Sequence, residues 1–264
     1  MRRMGVGGGL GFLLILIAGL IFGVNPLQLL SLAGGVSQMA GPAGGPAPDP
    51  DDPTVEFMEV ILATTEDVWG RIFAEGGATY QPPTLVFYTD MVQSACGRNS
   101  AATGPFYCPP DQGVYLDIGF FDDLSRMGGP GDFAQAYVLG HEVGHHIQNL
   151  LGTSDEVRSA QRGARQADVN RLSVLLELQA DCYAGVWAHH ANQMRPGLLE
   201  PGDIQEGLRA AAAIGDDRLL ARAGRATSPE SFTHGSSEQR AQWLAVGLQT
   251  GDLNACDTFS RVGQ

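Results

Sequence analysis

Two histidines four residues apart, with a glutamate beside the first, carry the clearest chemistry in this chain: His141-Glu-Val-Gly-His145. On a helix, positions i and i+4 share a face, so both imidazoles can reach one metal ion. Glu142 projects beside them and can take a proton from a metal-activated water. Gly144 within such a helix costs about 1 kcal/mol relative to Ala unless something packs closely against it. A catalytic zinc has three protein ligands. Glu177 is the candidate third, because Leu172–Asp181 is an otherwise apolar helical run. A carboxylate there is costly unless paired or bound to metal. Asp181, one turn on along the same face, suits accepting the far ring N–H of a ligand imidazole. His146 falls on a different face and reads as polar surface. The plainer alternatives are core histidines satisfied by hydrogen bonds and, for Glu177 and Asp181, a solvated helix edge.

Other metal chemistries fit less well. An extended motif with Gly at 148 and a third His at 151 is absent, since those positions hold Gln148 and Leu151. A di-iron carboxylate centre needs two Glu-x-x-His motifs, and Glu142-x-x-His145 stands alone. A four-cysteine zinc site is disfavoured because no cysteine pair has C-x-x-C spacing.

The elements that must position these groups read as α+β. Asp52 and Pro53 open a helix to about Phe73, and Thr84–Tyr88 is a strand. Two further strands, 105–108 and 114–118, flank a Pro-Pro-Asp-Gln-Gly turn. Asp132 can cap a helix that runs to Leu151 and ends at Gly152. Helices follow over 166–192, from Asp203 with Glu206 as a capping-box-like start through Ala213, and from Ser236 with Gln239 as another capping box through Gln249.

The chain has 264 residues and a net charge of −13; all 16 basic residues are Arg. That balance excludes a phosphate-tracking nucleic-acid protein. Residues 10–30 are uncharged and mostly apolar and follow Arg2 and Arg3, with no further basic residue until Arg71. About 20 apolar residues span a bilayer core, and the charge bias keeps 1–9 as a short cytoplasmic tail and exports the rest. A cleaved signal peptide is the rival reading, but no small-residue cleavage site follows the run. Residues 31–52 form a Gly/Pro/Ala-rich linker, and 53–264 form the domain. Four cysteines fit export. Local closure favours Cys96 with Cys108, which leaves Cys182 with Cys256; four free buried thiols is the alternative.

Longer motifs resemble one family. Gly104-Pro-Phe-Tyr-Cys-Pro109, Val114-Tyr-Leu-Asp117, Gly131-Asp-Phe-Ala-Gln-Ala-Tyr137, His141–Asn149, Glu177–Gly185, Ile214-Gly-Asp-Asp217 and Phe232–Ser237 are similar to the bacterial "putative neutral zinc metallopeptidase" family. The Glu-x-x-x-Asp after His-Glu-x-x-His looks like the gluzincin arrangement. The resemblance implies a zincin-like domain holding Zn2+ through His141, His145 and Glu177, with Glu142 as general base and a peptide or protein as substrate. By analogy with a late histidine in gluzincins, His234 is the candidate oxyanion donor, with Tyr183 and Tyr115 as alternatives. By analogy with zincin edge strands, Val114, Tyr115 and Leu116 are expected to bind substrate backbone. The competing function is a membrane-tethered binding or scaffold module with structural zinc; oligomeric state is open.

Overall fold

A computed structural model describes residues 49 and 51–260. The expected tail 1–9, anchor 10–30 and most of the linker lie outside the described residues. Among those described, no helix is long and apolar enough to cross a membrane.

Helix α1 (Pro53–Glu75) starts where expected: Asp52 Oδ1 accepts the Thr54 N–H at 2.8 Å and Pro53 takes the first turn. It buries Met58, Val68 and Trp69. Strands β1 (Thr84–Tyr88), β4 (Phe106–Cys108) and β5 (Gly113–Asp117) form a sheet in the order β1-β5-β4. β1 runs parallel to β5 and β4 antiparallel to it. The segment after β1 holds a separate hairpin, β2 (Met91–Ser94) with β3 (Gly97–Ser100). Its polar sequence gives little alternation from which strands could be read.

Seven more helices follow: α2 (Gly119–Arg126), α3 (Asp132–Leu150), α4 (Thr153–Gln161), α5 (Gln166–Met194), α6 (Asp203–Ala213), α7 (Asp216–Arg222) and α8 (Ser237–Thr250). The four longer ones match the sequence pattern. The Ser236/Gln239 capping box forms with both bonds. The one expected at Asp203 does not: Gly202 is the N-cap, and Asp203 instead accepts the Glu200 N–H. At α3 the N-cap is likewise Gly131, with φ 121°, and Asp132 bonds the Phe133 N–H from inside the helix. Helices α2, α4 and α7 have nine residues or fewer, too short for a periodic signal.

Helix α3 is the centre of the domain, with 14 of its 19 residues buried. It packs on α5, and at Gly144 the two backbones meet. A Cβ there would lie 2.8 Å from the Ala180 carbonyl oxygen, so this close approach is what the interior glycine serves. Helix α8 closes against α5 in the same way through Gly185 and Gly247. Trp187, Tyr137, Leu139, Ile147 and Leu244 fill the space between.

Two disulfides are present. Cys96, in the β2–β3 turn, joins Cys108 at the end of β4, and Cys182 of α5 joins Cys256 of the tail. The tail also bonds α5 directly, through Thr258 Oγ1 to the Leu175 carbonyl at 2.7 Å.

Candidate metal centre

Helix α3 presents His141 and His145 side by side, their ring centroids 4.7 Å apart. Glu177 comes from α5, held close by the Gly144–Ala180 contact three residues away. Its Oε2 lies 3.1 Å from His141 Nε2 and its Oε1 lies 3.3 Å from His145 Nε2. Ligand atoms around a tetrahedral zinc with bonds of about 2.0–2.1 Å sit about 3.3 Å apart, so the three groups have the spacing of a shared coordination sphere. The donor set, two imidazole nitrogens and one carboxylate oxygen, is zinc-like. Charge agrees. With both imidazoles neutral, as ligation requires, the buried or largely buried carboxylates of Glu142, Glu177 and Asp181 face one guanidinium, that of Arg240, which leaves a deficit of two charges that a divalent cation would balance.

Asp181, fully buried, anchors the first imidazole. Its Oδ1 accepts from His141 Nδ1 at 2.8 Å and from the Tyr137 hydroxyl at 2.6 Å. Arg240 of α8 grips both carboxylate oxygens, Nε to Oδ2 at 2.9 Å and Nη2 to Oδ1 at 3.0 Å. The His141 ring is thereby fixed with Nε2 toward Glu177. Sequence reasoning missed Tyr137 and Arg240. Tyr137 carried a usable signal, standing four residues before His141 on the same face; Arg240 carried none.

Electrostatics follow from this packing. Burial works against charge on His141, yet the Asp181 and Glu177 carboxylates outweigh it and drive its pKa up to about 10. His145 is also raised against its own burial, by Glu177. Burial would raise Glu177 and Asp181. The imidazoles instead hold Glu177 well below the usual carboxylate range, and Arg240 with His141 lowers Asp181. Glu142 goes the other way, raised chiefly by burial.

These groups open onto a cavity of about 940 Å3 that is also lined by Glu142, His234, Tyr107 and Phe120. His234 reaches it from the loop before α8. Asp216 builds that loop: its Oδ2 accepts the backbone N–H groups of Thr233 and His234, each at 2.7 Å, and of Gly235 at 3.2 Å. Its Oδ1 lies 3.3 Å from His234 Nδ1. Asp217 continues the clamp, accepting from both the N–H and the hydroxyl of Ser237. The hydrogen bond to Asp216, against partial burial, raises the His234 pKa.

Several expectations need correction. Val114, Tyr115 and Leu116 are buried in β5, the inner strand of the sheet. Val114 and Tyr115 are flanked by β1 and β4, so they offer no free edge for a substrate strand, while Leu116 pairs only with Phe87 of β1. The strand lining the cavity is β4, through Phe106 and Tyr107. Neither alternative tyrosine lines it: Tyr183 packs in the core against Trp69, and the Tyr115 hydroxyl bonds Asp111. His146 is not polar surface. It is wholly buried, between the Tyr107 hydroxyl at 2.9 Å and the Gln81 carbonyl at 2.6 Å. His189 and His190, too far beyond Glu177 along α5 to reach the site, do lie outside the cavity lining and bond the carbonyls of Leu248 and Gly251.

Comparison with known proteins agrees with the donor set. The family model described as "Putative neutral zinc metallopeptidase" matches residues 1–259. An Escherichia coli protein named "Uncharacterized protein YpfJ" is 49% identical over 256 residues, covering 96% of this chain and 88% of its own length. "Uncharacterized protein Mb2605" of Mycobacterium bovis is 46% identical over 191 residues, covering 69% of this chain and 64% of its own. No solved structure matches. With a family match along nearly its whole length, and with two imidazoles and a carboxylate converging as zinc ligands do, the chain belongs to the putative neutral zinc metallopeptidase family.

Proposed function

We propose that this protein hydrolyses peptide bonds in peptide or protein substrates, on the outer side of a membrane to which residues 10–30 anchor it. The observation that carries the catalytic reading is the convergence of His141, His145 and Glu177 beside a buried Glu142 at the wall of a peptide-sized cavity. A zinc ion held by His141, His145 and Glu177 supplies the Lewis acidity that activates water at neutral pH and polarises a carbonyl.

The chain's own groups do the rest. Glu142 takes a proton from the attacking water and returns it to the leaving amine; its raised pKa suits a group that must both accept and give back. His234 donates an N–H to the oxygen on which negative charge develops, and Asp216 holds its ring in place through Nδ1. The outer strand β4 runs along the cavity wall and can align an extended peptide through its backbone. Phe120, Met127 and Leu219 give the cavity an apolar side for substrate side chains.

The test is zinc content and peptide hydrolysis of the full-length chain, measured beside Glu142→Gln. Zinc retained in the variant, with turnover lower by about 10²–10⁴-fold, is the expected result. Zinc-loaded wild-type protein with no hydrolysis of any peptide in a random library would favour a binding module instead. Detection of the domain on the cytoplasmic side by protease accessibility would overturn the membrane part.

A further inference from the structure

The second imidazole has its own support, which the reaction does not use. Gln148 is wholly buried one turn after His145, and its Oε1 lies 2.9 Å from His145 Nδ1. Its Nε2 donates to the Leu176 carbonyl at 2.7 Å and to Gln179 Oε1 at 3.1 Å. Gln179 Nε2 donates in turn to the Cys256 carbonyl at 3.1 Å. An amide side chain can be turned end for end, but a backbone carbonyl only accepts. The Cys256 carbonyl therefore fixes Gln179 with its oxygen toward Gln148. The Leu176 carbonyl and that oxygen together fix Gln148 with its nitrogen toward α5. Turned over, Gln148 would set its oxygen against two other oxygens with no proton between them, in a buried site where an unmade bond costs about 1–3 kcal/mol.

One orientation of Gln148 leaves one state of His145. Nδ1 must carry the proton it donates to Oε1, so in the neutral ring Nε2, 3.3 Å from Glu177 Oε1, holds the lone pair left for a metal. That is the tautomer a metal ligand needs. Asp181 sets His141 in the same way, with a carboxylate where His145 has a neutral amide.

We infer that Gln148 is a positioning residue for His145, selecting by its fixed amide the tautomer and ring orientation that bind zinc. The inference rests on the zinc reading above. Removing the Oε1 acceptor, as in Gln148→Met, leaves a chain of similar volume but frees the ring to rotate and to take the other tautomer.

The test measures zinc affinity of the full-length protein by competition with a chromophoric chelator. Gln148→Met is expected to bind zinc about 10–100-fold more weakly than wild type, the usual effect of removing a ligand's hydrogen-bond partner. Thr258→Val serves as the structural comparison. It removes a buried bond between the same tail and α5 but lies outside the amide chain, so its zinc affinity is expected to stay within about threefold of wild type. An unchanged affinity in Gln148→Met, or an equal loss in Thr258→Val, would overturn the inference. A wild-type protein that binds no zinc would overturn the metal reading itself, a distinguishable outcome. If Gln148→Met does not fold, nitrogen-15 spectra of cadmium-113-loaded wild type decide. Coupling of the metal to His145 Nε2 with a protonated Nδ1 is expected; coupling to Nδ1 would refute it.

Discussion

Gly144→Ala perturbs the contact on which the centre depends, and two effects of opposite sign can be weighed. Alanine is favoured over glycine inside a helix by about 1 kcal/mol. Its methyl carbon, however, would lie 2.8 Å from the Ala180 oxygen, 3.0 Å from its Cα and 3.3 Å from its carbonyl carbon. All three are backbone atoms, so no change of rotamer relieves the clash, and α3 and α5 must part by about 0.5 Å to restore ordinary contact. Overpacking of this kind costs about 1–3 kcal/mol, and rigid partners place it in the upper part of that range. The expected net loss is about 1–2 kcal/mol, or a melting point lower by about 2–8 °C for a domain of this size. Gly70→Ala is the matched comparison. It lies within α1 with nothing within 4 Å of the added carbon, so it should gain up to about 1 kcal/mol. Thermal unfolding of the metal-free full-length protein reads both. Zinc affinity should also fall in Gly144→Ala, because Glu177 is carried on the displaced segment. Equal stabilisation by the two substitutions, with zinc affinity intact, would refute the reasoning.

Further outcomes follow from the same geometry. Arg240→Met leaves the Asp181 carboxylate buried without its cation and should destabilise the fold by about 3–5 kcal/mol in urea unfolding. His234→Ala should lower kcat far more than it raises KM if the ring serves the transition state; an effect on KM alone would reduce it to a loop residue. The raised pKa of His234 means its charged form is favoured in the fold, chiefly by Asp216. That stabilisation is complete below the ordinary value of 6.5 and is lost as pH rises through the raised one. If the protonated ring is the donor, activity falls over the same interval, and Asp216→Asn should move that alkaline limb to lower pH. Replacing Cys182 and Cys256 by Ser opens a loop with a sequence separation of 74, against 12 for Cys96 and Cys108. Chain-entropy estimates give about 4.5 and about 3 kcal/mol for the two, so the Cys182–Cys256 pair should cost more stability in denaturant titration.

The sequence made the ligand-bearing part of this site legible because its signals are local. The i, i+4 spacing of His141 and His145, the isolated carboxylate at Glu177 and Asp181 one turn later each follow from helix periodicity, and Gly144 announced a close neighbour without naming it. Support that crosses between elements stayed hidden. Arg240 reaches Asp181 from 59 residues away, and Gln148 looked only like the absence of another motif. The Asp216–Asp217 pair showed no role in the sequence, although its work is to build the loop of His234. Burial misled twice. His146 was assigned to the surface from helix phase, whereas α3 is covered on nearly every side. The strand at Val114 has an apolar run that marks burial on both faces, which is the signature of an inner strand rather than an edge. Helices of nine residues or fewer and the polar β2–β3 hairpin lack the length that periodicity needs.

The most direct test of the central claim is anomalous diffraction at the zinc absorption edge from crystals of the full-length protein. One zinc peak is expected, within about 2.0–2.2 Å of His141 Nε2, His145 Nε2 and a Glu177 oxygen. A zinc ion bound elsewhere, or Glu177 turned away from a metal held by the histidines, would contradict the claim.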